Sequence, residues 1–394
     1  MEQNLVFTTM VDAAYIHIPF CRRRCYYCDF PVFVIGERLR GETSLGMQQY
    51  VATLTEEIAN TLVSGQYLKT IFFGGGTPSL LSVDQLQQIL AILDRRFGID
   101  KEAEISMEMD PGTFDLPHIS GYRHAGINRI SLGVQAFQAE LLQVCGRSHN
   151  LGDIFSAIEM IRQVGVPELS LDLISGLPHQ TLEIWQDSLK QAVAITPTHV
   201  SIYDLTIEPG TAFGRYFQPG DRPLPTDEIT VKMYRLAQHL LTGAGYEHYE
   251  ISNYAQPRHQ CHHNRVYWEN RPYYGFGMGA ASYMGGKRFT RPRKTQEYYQ
   301  WVKDGCVINC EVTPVDEMLL DTLMLGLRLA EGVGMQMLIE KFGKQNVEKI
   351  FRILQPFVEK RWVQIVGGRL KLSDPEGFLF SNVVLSTLFK ELGK

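Results

Sequence analysis

The stretch from Tyr15 to Cys28 reads YIHIPFCRRRCYYC, which sets Cys21, Cys25 and Cys28 in a C-x3-C-x2-C spacing behind a short apolar run. The run, Ala14 to Ile18, predicts a strand, so the cysteines fall on the loop that leaves it and can curl around one centre. Three thiolates can hold three irons of a [4Fe–4S] cube, whereas a cluster that only carries electrons takes four. One iron is then left open for another ligand. A closed zinc site would need a fourth ligand, for which His17 on the preceding strand is the available imidazole, and zinc spacings pair short C-x2-C or C/H units. Disulfides fit poorly with an odd count of seven cysteines in a chain long enough to bury a large core without staples.

Working outward, short β-rich segments alternate with amphipathic ones. Strands are predicted near Thr70 to Phe73, Glu104 to Met109, Arg129 to Val134, Glu168 to Leu173 and His199 to Leu205. Helical patterns cover Met47 to Val63, Val83 to Phe97, Ile154 to Val164 and Leu182 to Ala194. Regular alternation argues for βαβ units and a parallel sheet, here an α/β fold built as a partial (β/α)6 TIM-type barrel. Pro219 to Pro225 reads as a loop before a helix from Asp227 to Ala244. Residues 246–301 are crowded with Tyr, Trp, Gly and Asn, a composition closer to a binding surface than to a plain core. After Pro314, helical patterns at Val315 to Ala330, Met335 to Phe342 and Val347 to Lys360 precede two strand-like runs, Val363 to Val366 and Arg369 to Leu372, around Gly367-Gly368. This reads as a small helical domain ending in a hairpin, winged-helix-like. The expected division is 1–210 for the barrel core, 211–312 for an extension and 313–394 for the C-terminal domain.

Composition narrows the function. The chain has 394 residues, with 38 basic and 43 acidic side chains for a net charge of −5, and neither sign runs in blocks, so a nucleic-acid footprint is not indicated. Met1 to Met10 shows neither the basic start nor the apolar run of a secretory signal, and no apolar stretch reaches the roughly 20 residues that span a bilayer. The expectation is a cytoplasmic protein with at most peripheral membrane contact, in a reducing setting. Cys145, Cys306, Cys310, Met335 and Met337 read as packing residues.

In parallel α/β barrels the chemistry gathers at the C-terminal ends of the strands. There the sequence offers Gly74-Gly75-Gly76-Thr77-Pro78, whose glycines let backbone approach a ligand closely, then Glu108 and Asp110, Gln135, Asp172, Tyr203 and Thr206. Gln135, Arg147 and Asp172 lie on successive units and can converge on a ligand with mixed polar groups. Farther on, Cys261-His262-His263-Asn264 followed by Tyr267-Trp268 combines imidazoles with aromatic rings. A neutral imidazole is a common axial ligand for heme iron, and Tyr267, Trp268, Tyr273, Tyr274 and Phe276 have rings suited to cover a macrocycle. On chemistry alone Cys261, His262 and His263 are all competent ligands, and a hydrogen-bonding histidine beside core aromatics is the bland alternative. Arg22 to Arg24 form a basic run that suits an acidic partner or carboxylates, or plain solvation.

The motifs together resemble radical S-adenosylmethionine (SAM) proteins, in the branch holding oxygen-independent coproporphyrinogen III oxidase and the related heme chaperones. The resemblance runs over most of the chain through YIHIPFC at 15–21, GGGTP at 74–78, MEMDP at 107–111, SLGVQ at 131–135 and DLISGLP at 172–178. It implies that Cys21, Cys25 and Cys28 ligate the cluster. By the same resemblance Tyr15, Tyr27, Gly75, Gly76, Thr77, Glu108, Gln135, Arg147, Asp172 and Thr206 contact SAM. The oxidase ends its loop in Cys-x-Cys and carries a long N-terminal extension; here Asp29 and Phe30 follow Cys28, and twenty residues precede Cys21. The H-N-x-x-Y-W motif is similar to the chaperone signature and implies heme contacts from His263, Asn264, Tyr267 and Trp268. The expectation is a heme chaperone carrying a SAM-coordinated cluster that delivers heme to respiratory apo-proteins. A flavodoxin or ferredoxin is the implied electron donor, and a homodimer the implied assembly. The rival is an oxidase-like enzyme of porphyrin biosynthesis.

Overall fold

A computed structural model of the chain describes residues 10–37, 40–63 and 65–392. The segment read above for a leader therefore lies, apart from Met10, outside the described residues. Six strands run parallel: β1 (Ala13–Ile18), β2 (Leu68–Gly75), β3 (Ile99–Met109), β4 (Arg129–Gln135), β5 (Glu168–Ser175) and β6 (His199–Asp204). Most of their residues are buried, and β1 reads as a nearly unbroken apolar run, whereas β2 and β4 mix apolar residues with polar ones. The crossover helices are set by ordinary end signals. Val83–Phe97, for example, opens on a capping box between Ser82 and Gln85. It buries Leu86, Ile89, Leu90, Leu93 and Phe97, and it stops at Gly98 with φ of 72°. The α/β reading, with a partial (β/α)6 barrel, holds.

The sheet does not end at β6. Strands β7 (Glu247–Glu250), β8 (Asn253–Ala255) and β9 (Tyr274–Phe276) join it, giving the order β9-β1-β2-β3-β4-β5-β6-β8-β7. β9 lies parallel to β1, with Ala14 opposite Tyr274, so the far edge of the sheet comes from chain about 260 residues downstream. The aromatic crowding in 246–301 is thus core rather than binding surface. Tyr246, Tyr249, Tyr254, Tyr273, Tyr274, Phe276, Tyr283 and Tyr298 are all buried. A second buried cluster holds this segment in place. Glu57 accepts from Arg291 Nε at 2.8 Å, from the Tyr298 hydroxyl at 2.7 Å and from Gly277 N at 2.9 Å.

The C-terminal part has its own core, with Leu319, Leu323, Leu338, Ile350, Leu354, Leu370, Leu372 and Val384 among its members. Its hairpin turns at Gly367 and Gly368, φ of 58° and 72°, the left-handed pair that two-residue hairpins require. Two details differ from expectation. Val333–Gly334 adds a third strand, and the domain does not end in the hairpin, because helices Glu376–Leu379 and Ser381–Leu392 follow it. The first helix also stops at Gly326 rather than Ala330, because Leu329 bridges back to Glu250. Among the described residues, no helix is long and apolar enough to cross a membrane.

Candidate functional site

The register Ile18 opposite Gly75 brings the loop after β1 beside the loop after β2, at the C-terminal end of the sheet. Cys28 N donates to Cys25 O at 3.2 Å and Tyr26 N to Cys145 O at 3.0 Å, so the cysteine loop is a turn pinned to the segment after β4. The three arginines act as staples of this loop rather than as a free basic patch. Arg24 donates to Cys28 O and Phe30 O, Arg22 to Gly112 O, and Arg23 pairs with Glu37.

All three cysteines are free and half-buried. Burial pushes the Cys21 thiol up to about 12, with the Thr77 hydroxyl acting the other way. A thiolate there needs a compensating cation, and bound iron would provide one. Among the described residues no three His, Cys, Asp or Glu side chains gather around one metal-ion position. That disfavours a mononuclear zinc site completed by His17, whereas a cubane spreads three thiolates over three irons. His17 instead takes the Tyr15 hydroxyl at Nδ1, 3.0 Å, and packs its ring against Gly75.

The glycine turn is a cradle that side chains would fill. A Cβ on Gly75, where φ is +113°, would stand 2.5 Å from the His17 ring, and one on Gly76 would stand 2.7 Å from Phe20 O. Gly75 N donates to Glu108 Oε2 at 3.0 Å, and Thr77 N to Phe20 O at 2.7 Å. Glu108 is pushed up to about 8, first by burial and then by Asp172 and Asp110, against the Gly75 hydrogen bond. Asp172 accepts from Ser131 at 2.8 Å and from Ser170 at 3.2 Å, and burial raises its pKa as well. Gln135 ends β4 with φ of 67°, a left-handed conformation that a non-glycine residue adopts at a cost of order 1 kcal/mol or more. Arg147 reaches Cys25 Sγ at 3.1 Å, Tyr27 Oη at 3.4 Å and Asp110 Oδ1 at 2.5 Å. Thus Tyr15, Gly75, Gly76, Thr77, Glu108, Asp172, Gln135, Tyr27 and Arg147 stand at this end or just inside it, and Thr206 lies exposed in the segment beyond β6.

Beneath them is a polar cavity of about 180 Å³ within the barrel, lined by Tyr15, Glu108, Ser131, Asp172, Tyr203 and others. Sequence reasoning missed its lower lining: Ser106, Arg129, Ser170, His199 and Ser201. A signal existed, since polar residues recur at every second position, 106/108/110, 129/131, 170/172 and 199/201/203, on four successive strands.

The H-N-x-x-Y-W motif forms the helix His262–Trp268 at the opposite end, under the N-terminal ends of the strands. Glu104 of β3 accepts from His262 N at 3.0 Å and His263 N at 2.9 Å, capping the helix. His263 is fully buried and stacked on Phe72. Its Nδ1 is bonded to Thr70 Oγ1 and its Nε2 to Tyr267 Oη, both at 2.9 Å. Burial, then Arg271, lowers its pKa to about 3, so the ring is neutral. Asn264 and Tyr267 line the floor of the cavity, and Arg328 stacks on Trp268 at 4.4 Å. The structure does not bring this motif to the cysteine loop. Nor does it leave Tyr273, Tyr274 and Phe276 free to cover a macrocycle, since they pack in the protein's own core.

Residues 15–192 match the radical SAM superfamily and residues 314–380 the HemN C-terminal domain. Heme chaperone HemW of Synechocystis sp. is 48% identical, over 97% of each chain. Heme chaperone HemW of Bacillus subtilis is 34% identical, over 97% of this chain and all of its own. The solved coproporphyrinogen III oxidase (HemN) of Escherichia coli, a radical SAM enzyme, shares the fold with a TM-score of 0.82 and 23% identity, over 97% of this chain and 91% of that one. Superfamily membership implies SAM and a [4Fe–4S] cluster as cofactors, and the free cysteines and glycine cradle are donors suited to both. With near-complete coverage of a relative at 48% identity, the chain belongs to the heme chaperone HemW family of radical SAM proteins.

Proposed function

We propose that this chain binds heme and passes it to acceptor proteins, respiratory apo-enzymes being the class in view. The observation that carries the reading is end-to-end likeness to proteins named heme chaperones. Cys21, Cys25 and Cys28 would hold the cluster. Tyr15, Tyr27, the Gly75-Gly76-Thr77 turn, Glu108, Gln135, Arg147, Asp172 and Thr206 would receive SAM, the last from an exposed position. When bound, these groups supply one-electron chemistry, with a flavodoxin or ferredoxin as donor. The residues themselves supply thiolates, backbone donors and carboxylates that match a cationic amino-acid ligand. The loop lacks the further cysteine of the oxidase, with Asp29 and Phe30 after Cys28.

His263, Asn264, Tyr267 and Trp268 are the proposed heme contacts. A ligating imidazole is usually held through its other nitrogen by an outer partner. Thr70 on Nδ1 is such a partner, and Nε2, now bonded to the Tyr267 hydroxyl, is the nitrogen that iron would take. Capture there requires the Tyr267 hydroxyl to leave Nε2 and the barrel floor to open around His263, which Thr70 holds through Nδ1. A second copy of the chain and a cytoplasmic setting belong to the same proposal. The test is transfer: heme-loaded protein mixed with an apo-acceptor should lose its heme to the acceptor, and coproporphyrinogen III supplied anaerobically with SAM should persist. Rapid loss of coproporphyrinogen without heme transfer would reverse the reading.

A further inference from the structure

We propose that Arg147 is a positioning residue for the cluster, its guanidinium fixing Cys25 and setting the ease with which the cluster accepts one electron. This rests on the reading of Cys25 as a cluster ligand.

The geometry is that of a charge wedged between a thiol and a carboxylate. One arm of Arg147, Nη1, donates to Cys25 Sγ at 3.1 Å and to Tyr27 Oη at 3.4 Å; the other, Nη2, donates to Asp110 Oδ1 at 2.5 Å and Gly133 O at 3.0 Å. The side chain is only 6% exposed, so solvent screens these interactions little. The placement is held from behind. Tyr26 N bonds Cys145 O at 3.0 Å, and Gly146, with φ of +71°, lies so close to the Tyr26 ring that a Cβ would stand 2.8 Å from it. Segment 145–147 and the cysteine loop therefore form one clamped unit. Arg147 Nε is buried without a hydrogen-bond partner, which leaves a donor for a ligand such as the carboxylate of SAM.

Iron–sulfur potentials respond to net charge, hydrogen bonds to sulfur and exposure. One-electron reduction adds negative charge to the cluster, so a guanidinium on a ligand sulfur favours the reduced state. Asp110, on the far side of the same guanidinium, opposes it. The two residues act with opposite sign, and this separates an electrostatic role from a merely structural one.

The experiment is an EPR-monitored titration with dithionite, without SAM, on the reconstituted full chain and on Arg147→Gln, Arg147→Lys and Asp110→Asn, each first assayed for iron and sulfide. Arg147→Gln should shift the reduction equilibrium about tenfold against the reduced form, about 59 mV more negative for one electron. Arg147→Lys should shift it less in the same direction, and Asp110→Asn should shift it the opposite way. If Arg147→Gln fails to load, the opposed shifts of Arg147→Lys and Asp110→Asn decide. Loaded variants with the parent's potential would overturn the proposal alone, whereas a parent chain that assembles no [4Fe–4S] signal would overturn the ligand reading with it.

Discussion

The two ends of the same six strands are made of opposite materials. At the C-terminal end, the cysteines are half-buried, Gly75 and Gln135 sit at positive φ, and Arg147 keeps an unpaired Nε. At the N-terminal end, His263 is fully buried with both ring nitrogens bonded, and Glu104 satisfies the helix that carries it. Strained backbone and spare donors are tolerated where a ligand completes them, whereas the saturated imidazole of His263 marks a residue that holds the fold together, although Trp268 Nε1 of the same motif is buried without a partner. The second motif of the sequence, His263 to Trp268, is therefore the one that must rearrange to act.

Breaking the ligand end should be close to all-or-none. Cys25→Ser is expected to lose nearly all cluster iron and sulfide while the far-ultraviolet dichroism stays native. A fully loaded variant would contradict the assignment. Breaking the floor should instead cost stability. Glu104→Ala leaves two helix N–H groups without acceptors and Arg129 with one carboxylate fewer, for about 2–3 kcal/mol in urea unfolding. A change under about 0.5 kcal/mol would mean that the floor is not built as described.

The carboxylate between the two ends gives a finer test. Glu108 is raised to about 8, so between its unfolded pKa near 4.5 and that value the folded chain binds more protons than the unfolded one, and Glu108 erodes stability as pH rises. Glu108→Gln mimics the protonated form. Its stability relative to the parent should climb from about pH 4.5 and level off above about pH 8, with a gain of a few kcal/mol at most. A pH-independent difference between the two proteins would remove Glu108 from the buried site.

The cysteine loop at the end of a strand and the parallel sheet were legible because their signals are local. Three cysteines behind a strand, and apolar runs alternating with capped helices, need no tertiary knowledge, and Val83–Phe97, Met335–Phe342 and the Gly367-Gly368 hairpin have the bounds their patterns predict. What escaped was set by distant pairing. Nothing near Tyr274 announces that it lies beside Ala14, and without that pairing an aromatic-rich stretch reads as a binding surface rather than as core. The polar barrel interior was hidden for a related reason, because Ser131 and Ser170 gain meaning only when Asp172 stands between them. The left-handed backbone at Gln135 has no signature in a Val-Gln-Ala sequence.

The most direct test of the account is an anaerobic heme titration, followed by the Soret band, of the parent chain, His263→Ala and Tyr267→Phe. Binding by the parent should saturate, weaken about tenfold or more without the imidazole and tighten when the competing hydroxyl is removed, since each factor of ten is about 1.4 kcal/mol. No saturable binding by the parent would contradict the chaperone reading, and equal binding by all three proteins would leave His263 as part of the floor alone.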